Sequence, residues 1–337
     1  MNIGVVGAGS IGQRHIKGLV GLRSELGIGD IKVFDPNGER RAAVVSLGAR
    51  VVPVERLADA ALGVEAVFVC APTSLHTDVM RQLLELGAFH IFMEKPLASE
   101  AAGWASLIER HQKAGKQFVV GYMLRKHPVL RRLKAVLGEG GLGRILHARA
   151  ESGFYLPYWH PHEDYRDFYM SYRTGGGGAL LDTSHEIDYL TWLLGPVVEV
   201  QATVETVSDL EITSDDLVQA TFRLKSGVRA QVHLDLLQFD ESRNCKVVGT
   251  KGVARADLIA NQVAIWREGD KAWEVDRVEV EWAQIYDEEY RDFIAVCRGE
   301  QRALPTAQQA LHVLEIVEAA RRSHASGGTV RLPLWDL

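Results

Sequence analysis

The sequence predicts an α/β protein in which a doubly wound parallel sheet is followed by an α+β domain with a large, mostly antiparallel open sheet. Two observations support this prediction. Up to about residue 122, short apolar runs alternate with helical patterns, which is typical of parallel strands joined by helices. From residue 145 onward the chain is rich in strand patterns that adjoin turn signals, which favours antiparallel pairing. We therefore expect two domains, residues 1–122 and residues 123–337.

Each element is placed by an apolar run or by a helical spacing of apolar residues. Strands of the first domain are expected at residues 2–6, 31–35, 49–52, 66–70, 89–93 and 117–121. Strands of the second domain are expected at residues 145–154, 197–207, 216–225, 228–238, 243–248 and 262–266. Helices are expected at residues 12–26, 77–86, 128–138, 285–298 and 306–325, with a short last strand after the glycines at 327 and 328.

The composition excludes several classes of protein. Hydrophobic residues make up 47% of the 337 residues and charged residues 24%, which is ordinary for a globular chain. The formal net charge of −6 argues against nucleic-acid binding, and no apolar run approaches the roughly 18 residues of a membrane helix. The three cysteines, Cys70, Cys245 and Cys297, are too widely spaced for a zinc site or a disulfide framework. We expect a cytoplasmic protein with an untrimmed amino terminus that binds neither nucleic acid nor membrane.

The first functional motif is a G-x-G-x-x-G turn directly after the first strand. Between a strand and a helix, this pattern is the dinucleotide-binding fingerprint of a Rossmann domain. Gly7 permits the tight turn, Gly9 lets the backbone approach a pyrophosphate, and Gly12 lets helix and strand pack closely. Ser10 and Ile11 begin the helix, whose N-terminus attracts the anion, so we expect both to contribute to the site.

Asp35 supports the same interpretation, because it ends the second predicted strand roughly twenty residues after Gly12. A carboxylate at this place bonds the ribose hydroxyls and repels a 2′-phosphate, so we expect NAD as the cofactor. Arg40 and Arg41 follow Asp35 and keep NADP open as the alternative. A plain strand-ending turn with no ligand is the other alternative.

Two further motifs follow the fourth and fifth strands, at the carboxyl edge of the sheet where such folds bind their ligands. A lysine that ends a buried strand at this edge can point toward a ligand, whereas the alternative is a solvated surface lysine. The residues of the two motifs are Ala71, Pro72, Thr73 and His76, and then Glu94, Lys95 and Pro96.

In their order and distances, these three motifs resemble those of the Gfo/Idh/MocA family (glucose-fructose oxidoreductase, inositol dehydrogenase and rhizopine catabolism proteins), and the resemblance covers the whole chain. It implies an NAD(H)-dependent oxidoreductase that transfers a hydride to or from a secondary alcohol of a sugar, sugar acid, nucleotide sugar or cyclitol. It also implies that the three motifs hold the cofactor, that Lys95 touches both the nicotinamide ribose and the reacting hydroxyl, and that the Lys95–Pro96 peptide is cis. The active site is expected in the cleft between the two domains.

A glycine run in the second domain opens a predicted helix that carries Asp182, His185 and Tyr189 on one stripe. The resemblance makes His185 the general acid/base, and histidine can take the hydroxyl proton near neutral pH. In the family an acid commonly lies four residues before this histidine, where this chain has Leu181. Asp182 and Asp188 are therefore the two alternatives for the residue that orients the imidazole.

The segment from residue 153 to 173 is dense in aromatic rings, and such faces beside hydrogen-bonding groups suit a sugar ring. Arginines in this segment and after the sixth strand suit a carboxylate or phosphate. The segment also resembles a sub-group of the family that is associated with acidic nine-carbon sugars and surface glycans. We therefore expect an anionic carbohydrate-like substrate. The predicted substrate contacts are Tyr122, Arg125, His127, Tyr155, Trp159, His160, Arg166, Arg173 and Tyr189.

Several alternatives stay open. The aromatic segment could bury an oligomer interface, and the open sheet face needs a cover, so we expect a homodimer or homotetramer. Only residue types favour a metal site at His160, His162, Asp164 and His185, and we expect no metal. The alternative enzyme is a redox-assisted lyase or glycosidase that holds NAD, and the alternative from another class is a non-catalytic dinucleotide-binding sensor or assembly protein.

Overall fold

The computed structural model describes residues 1–333. The chain divides into two compact units. The first unit comprises Met1–Met123 together with Trp282–Leu311, and the second comprises Leu124–Glu281 together with the described residues from His312 onward. This division differs from the boundary expected from the sequence, because a late segment returns to the N-terminal unit.

The first unit is built on a parallel sheet. Its strands are β1 (Ile3–Val6), β2 (Ile31–Phe34), β3 (Val51–Val54), β4 (Ala66–Val69), β5 (His90–Met93) and β6 (Phe118–Val120). Within residues 1–333 the six strands lie in the order β3-β2-β1-β4-β5-β6, and all neighbours are parallel. Every residue of β1, β4 and β5 is buried, as expected for strands covered on both faces. The predicted doubly wound sheet is confirmed.

The second unit is built on a larger sheet. Its strands are β7 (Ile145–Gly153), β8 (Val197–Glu205), β9 (Leu217–Leu224), β10 (Arg229–Asp235), β11 (Ser242–Gly249), β12 (Gly252–Asp257), β13 (Gln262–Arg267), β14 (Glu274–Arg277) and β15 (Val330–Arg331). In the described chain their order is β14-β13-β12-β11-β7-β10-β9-β8-β15. Only the pair β7 and β10 is parallel among these neighbours, so the prediction of a mostly antiparallel sheet is confirmed.

The helices lie between these strands in the chain. They are α1 (Ser10–Gly21), α2 (Arg23–Leu26), α3 (Gly38–Ala43), α4 (Leu57–Ala61), α5 (His76–Leu86), α6 (Trp104–Gln112), α7 (Pro128–Gly138), α8 (Leu156–Trp159), α9 (Ala179–Asp182), α10 (His185–Leu194), α11 (Trp282–Cys297) and α12 (Ala307–Ser326). In residues 1–333 no helix combines the length and the hydropathy that crossing a bilayer requires.

Aromatic packing explains why α11 belongs to the first unit. Phe68 of β4 and Phe92 of β5 stack at 4.7 Å between ring centroids, and Phe293 of α11 meets Phe68 edge-on at 5.3 Å. Tyr290 of α11 packs on α1, where a Cβ at Gly18 would come within 2.2 Å of the tyrosine ring. The core of the first unit is therefore incomplete without α11.

Candidate active site

The glycine turn after β1 has the geometry that a dinucleotide requires. Gly7 has a φ of 103°, and a Cβ there would lie 2.5 Å from the main-chain oxygen of Cys70. At Gly12 a Cβ would lie 2.1 Å from the oxygen of Gly7, so α1 packs on the turn only because this residue is glycine. No atom lies within 4 Å of the position that a Cβ at Gly9 would take. The turn is thus tight on the protein side and open at Gly9, which leaves room for a pyrophosphate.

Asp35 is fixed beside this turn. Its side chain is buried, with Oδ2 accepting a hydrogen bond from the amide of Ala8 at 2.7 Å and Oδ1 accepting one from the amide of Asn37 at 2.8 Å. A carboxylate has about four acceptor positions, so ribose hydroxyls can still donate to it. Arg41 lies next to it but pairs with Glu55 at 2.7 Å, which compensates its charge.

His76 connects two loops at the carboxyl edge of the sheet. Its Nε2 lies 2.9 Å from the oxygen of Ala71, and its Nδ1 lies 3.1 and 3.2 Å from the oxygens of Pro96 and Leu97. Burial lowers the pKa of His76, although these main-chain oxygens partly offset the effect. The ring is 1% exposed. Its contacts bridge the loop after β4 and the loop after β5. This placement does not support the expected direct contact of His76 with the cofactor.

The loop after β5 carries Lys95, which is half-buried. The peptide between Lys95 and Pro96 is cis, as the resemblance implies. The amide of Lys95 donates a hydrogen bond to Oε2 of Glu94 at 3.0 Å, and Oε1 of Glu94 lies 2.6 Å from Nε2 of His15. Glu94 therefore faces into the protein, away from the solvent that a cofactor would displace.

The other predicted residues of the first unit differ in exposure. Tyr122 is only 1% exposed, which does not favour a contact with a substrate. Pro72 and Ser10 are exposed, and the remaining ones are half-buried at the sheet edge. These half-buried residues are Ile11, Ala71 and Thr73.

The second-unit motif forms two short helices where the sequence predicts one. Helix α9 ends at Asp182 and α10 begins at His185. Asp215 holds the start of α9, because its main-chain oxygen accepts from the amide of Ala179 at 2.8 Å and its Oδ2 accepts from that of Leu180 at 2.7 Å. The break places His185, which is 6% exposed, in the first turn of α10.

Gly178 makes this arrangement possible. Its φ is 110°, and a Cβ there would lie 2.6 Å from Oδ1 of Asp215. After α9, the hydroxyl of Thr183 donates to the main-chain oxygen of Ala179, a local bond of the kind that competes with helix continuation. The glycine run therefore sets the position of Asp182.

Asp188 and Arg125 form a buried ion pair. The guanidinium donates through Nε at 2.9 Å and Nη2 at 2.6 Å to the two carboxylate oxygens, and the side chains are 7% and 1% exposed. Arg125 was expected to bind an anionic substrate, but its charge is compensated inside the unit. Asp188 is held by Arg125, which weakens its candidacy as the residue that orients His185.

Asp182 has a partner that the sequence did not predict. The hydroxyl of Tyr169 donates to Oδ1 of Asp182. Tyr169 is 46% exposed and belongs to the aromatic segment. Its place in that segment was the only signal in the sequence, and the contact with Asp182 could not be foreseen from it.

A second buried pair joins α10 to β11. Arg243 donates through Nε to Glu186 at 2.7 Å and through Nη2 at 3.2 Å, and the glutamate side chain is fully buried. Tyr189, one turn after His185, is also fully buried, and burial raises its pKa well above the usual value. Tyr189 therefore packs inside the unit, which does not support its expected contact with substrate.

His127 has a structural place as well. Its Nδ1 accepts a hydrogen bond from the amide of Val129 at 3.3 Å and so caps α7. Burial, together with the charge of Arg243, lowers the pKa of His127 to about 4. The neutral ring is completely buried, so the expected substrate contact at His127 is not supported.

The aromatic segment folds as α8 and three short 3₁₀ turns. Arg166 pairs with Asp164 at 2.5 Å and with Glu211 at 2.9 Å, and it lowers the pKa of Asp164 to about 2. Its charge is thus doubly compensated, contrary to the expectation that it binds an anion. Arg173 is exposed.

The rings of this segment group into two clusters. The ring of Tyr155 lies 4.5 Å from Phe239 and 4.9 Å from Tyr158. Trp159 and His160 are in contact at 4.3 Å, and both are exposed. Among residues 1–333, no three His, Cys, Asp or Glu side chains are grouped as a metal site would need.

Both parts of the chain match known protein families. Residues 1–122 match the model of an oxidoreductase family with an NAD-binding Rossmann fold, and residues 130–255 match the GFO/IDH/MocA C-terminal domain. The inositol 2-dehydrogenase 3 of Saccharopolyspora erythraea is 31% identical over 263 residues, which cover 76% of this chain and 72% of that protein.

Two solved structures share the fold. A levoglucosan dehydrogenase in complex with NADH and L-sorbose has a TM-score of 0.87 at 18% identity and covers 99% of both chains. The WlbA dehydrogenase from Bordetella pertussis, in complex with NADH and UDP-GlcNAcA, has a TM-score of 0.82 at 23% identity and also covers 99% of both chains.

Proposed function

This chain belongs to the Gfo/Idh/MocA family and is an NAD-dependent oxidoreductase of CH–OH groups, and we propose that its substrate is a sugar, sugar acid, nucleotide sugar or cyclitol with a secondary alcohol. The inositol dehydrogenase relative supports a polyhydroxylated ring as the substrate.

One observation carries the proposed chemistry. Strands β1, β4 and β5 are neighbours, and their last residues Val6, Val69 and Met93 are level in the register. The glycine turn and Lys95 therefore leave the same edge two strand spacings apart, or about 10 Å. When NAD is bound, the glycine turn would hold its pyrophosphate and Lys95 would contact its nicotinamide ribose.

The reaction moves one hydride and one proton. NAD, when bound, supplies the hydride acceptor. In the oxidative direction the substrate hydroxyl loses its proton to His185 while its carbon loses a hydride, and a ketone forms. The Lys95 ammonium donates a hydrogen bond to the reacting oxygen and stabilises its developing negative charge. In the reductive direction His185 returns the proton.

We assign the orientation of His185 to Asp182 rather than Asp188. Asp182 is half-buried, and its partner is the neutral hydroxyl of Tyr169. Asp188 is buried against the charge of Arg125. A carboxylate that already forms a two-point ion pair is a weaker acceptor for a further imidazole.

The anionic character of the substrate is a finer proposal. Of the three arginines that motivated it, Arg125 and Arg166 have carboxylate partners, so it now depends on the exposed Arg173. A homodimer or homotetramer is likewise proposed, because one face of the second unit's sheet carries exposed residues, such as Gln201, Thr221 and Gln231, that a second copy could cover.

A substrate panel tests the function. NADH formation is measured with NAD and a series of cyclitols, neutral sugars, sugar acids and nucleotide sugar acids. Turnover of any of these with stoichiometric NADH supports the proposal, and equal rates for neutral and anionic members would remove the anionic preference. Product formation without net NADH indicates lyase or glycosidase chemistry. NAD binding without turnover of any compound indicates a sensor.

A further inference from the structure

A chain of buried hydrogen bonds lies beneath Lys95 in the first unit. The hydroxyl of Tyr290 lies 3.0 Å from Nδ1 of His15, and Nε2 of the same ring lies 2.6 Å from Oε1 of Glu94. The other oxygen of Glu94 accepts the hydrogen bond from the amide of Lys95. Tyr290 and His15 are completely buried, and Glu94 is 8% exposed. We call these three side chains the Tyr290–His15–Glu94 chain.

An ionised carboxylate accepts hydrogen bonds and cannot donate them, so Nε2 of His15 donates to Oε1 of Glu94. Burial raises the pKa of Tyr290, so its hydroxyl stays protonated beside Nδ1 of His15. Burial alone would raise the pKa of Glu94, but the hydrogen bond and the charge of His15, followed by the charge and the amide of Lys95, outweigh it, and the pKa is lowered. Glu94 is therefore a charged carboxylate inside the protein.

A buried charge costs stability unless every one of its acceptor positions is used well. Here one carboxylate oxygen is bonded to the main-chain amide of Lys95, the residue proposed to touch the reacting oxygen. A carboxylate that holds the main chain at Lys95 limits the positions that the Lys95 side chain can take. The carboxylate thus has an effect on Lys95 that an apolar residue could not supply.

The chain also joins Lys95 to the helix that begins at the glycine turn. His15 lies on the buried face of α1, which starts at Ser10. Tyr290 reaches His15 only because Gly18 leaves space on α1. The helix that faces the pyrophosphate and the loop that carries Lys95 therefore share one imidazole ring.

We propose that His15 and Glu94 are positioning residues that hold the Lys95 ammonium in its place and couple that place to α1. This inference rests on the proposed function, since it requires that Lys95 act on the substrate oxygen. Neither residue is proposed to touch the substrate.

A double-mutant cycle tests the inference. Glu94→Gln keeps the size of the side chain but leaves one acceptor oxygen for two donors, the Lys95 amide and Nε2 of His15, and it removes the charge. We expect kcat to fall by about tenfold to a hundredfold. The KM for NAD should change much less, because the glycine turn is unaltered. In the Lys95→Ala background, Glu94→Gln should cost no further activity, since its effect passes through the missing ammonium.

His15 supplies the second pair of variants. His15→Gln retains an N–H donor toward Glu94, whereas His15→Leu does not, so Gln should preserve more of kcat than Leu. The matched control is Glu109→Gln, the same change at an exposed carboxylate of the first unit that pairs with Lys113. It should leave kcat unchanged.

Additive losses in the Glu94–Lys95 cycle, or an unchanged kcat in Glu94→Gln, would overturn the inference. Equal losses of kcat in His15→Gln and His15→Leu would overturn the role proposed for His15. Failure of the proposed function has a different result: Lys95→Ala alone would then keep the turnover of the wild-type protein.

Discussion

Buried ion pairs decide which charged residues of the second unit can meet a ligand. Arg125 forms an ion pair with Asp188, and Arg243 forms one with Glu186. Both carboxylates lie on α10 and are fully buried. Such pairs contribute little net stability, but removal of one partner leaves an uncompensated charge and costs several kcal/mol. They therefore fix the helix that begins with His185.

The acid/base assignment is tested by His185→Ala. We expect the hydride step to slow by about 10² to 10⁴-fold, the usual contribution of a positioned acid/base. NADH affinity should be nearly unchanged, because the glycine turn and Asp35 belong to the first unit. Single-turnover kinetics and a fluorescence titration measure the two quantities. As a control, His324→Ala changes an exposed histidine of α12. Near-normal turnover in His185→Ala would contradict the assignment.

Substitution of Asp188 is expected to affect mainly stability, and substitution of Asp182 mainly kcat. Asp188→Asn leaves Arg125 buried without its counter-charge, so the free energy of unfolding should fall by about 3 to 5 kcal/mol. Asp182→Asn should lower kcat with a much smaller loss of stability. Denaturant unfolding and steady-state kinetics on both variants check this. If Asp188→Asn were fully stable and the more damaging to kcat, Asp188 would be the orienting residue.

At the scale of elements, the ends of helices determine where the functional groups lie. The start of α9 depends on Asp215, whose carboxylate accepts from the amide of Leu180 although it lies more than thirty residues away in sequence. Helix α7 is capped by His127, which is buried and neutral. Capping by a titratable ring makes this helix sensitive to acid.

A pH dependence of stability follows from His127. The unfolded chain binds a proton at this residue near pH 6.5, whereas the folded protein does so only near pH 4. Stability from this residue is therefore fully present above pH 6.5 and is lost as the pH falls from 6.5 to 4, by up to about 3 kcal/mol. His127→Asn keeps a cap acceptor and does not titrate, so its denaturation midpoint should fall less over this window. Parallel curves would contradict the prediction.

The same elements show what the sequence can reveal. Strands β1, β4 and β5 are uninterrupted apolar runs, so their positions could be predicted. Strands β12 and β14 were missed: the first follows β11 after a two-residue turn, and the second carries two acids and an arginine that mask its strand pattern.

The site shows the same limit. Gly7 and Gly12 were predictable because local backbone geometry dictates them. Asp188, the partner of Arg125, lies 63 residues away in sequence, and Tyr290, a partner of His15, lies 275 residues away. No local pattern identifies such partners, so residues that support the site were taken for residues that contact ligands.

At the scale of the whole molecule, the first unit is discontinuous in sequence. Residues 124–281 intervene between its two segments. The later segment supplies Phe293 to the aromatic core, and the oxygen of Pro305 accepts a hydrogen bond from the amide of Val120 on β6 at 3.0 Å. Both the core and the edge of the first sheet depend on it.

A fragment experiment tests this dependence. Residues 1–123 alone should fail to fold, because Phe68, Phe92 and the buried face of α1 would be exposed. The same residues joined by a flexible linker to residues 282–311 should fold and bind NADH. Circular dichroism and NADH titration of both fragments measure the outcome. A folded, NADH-binding fragment 1–123 would show that α11 is dispensable.

The late arrival of α11 has a consequence for synthesis on the ribosome. Domains usually fold in order from the amino terminus, at a translation rate of roughly 5 to 20 residues per second. Here the glycine turn and all six strands of its sheet emerge long before α11, which ends at Cys297. For roughly ten to thirty seconds the nascent chain must display the surface of β4, β5 and α1 that Phe293 and Tyr290 later cover. The second unit can form most of its sheet in that interval, whereas the core of the first unit cannot close until α11 has been made.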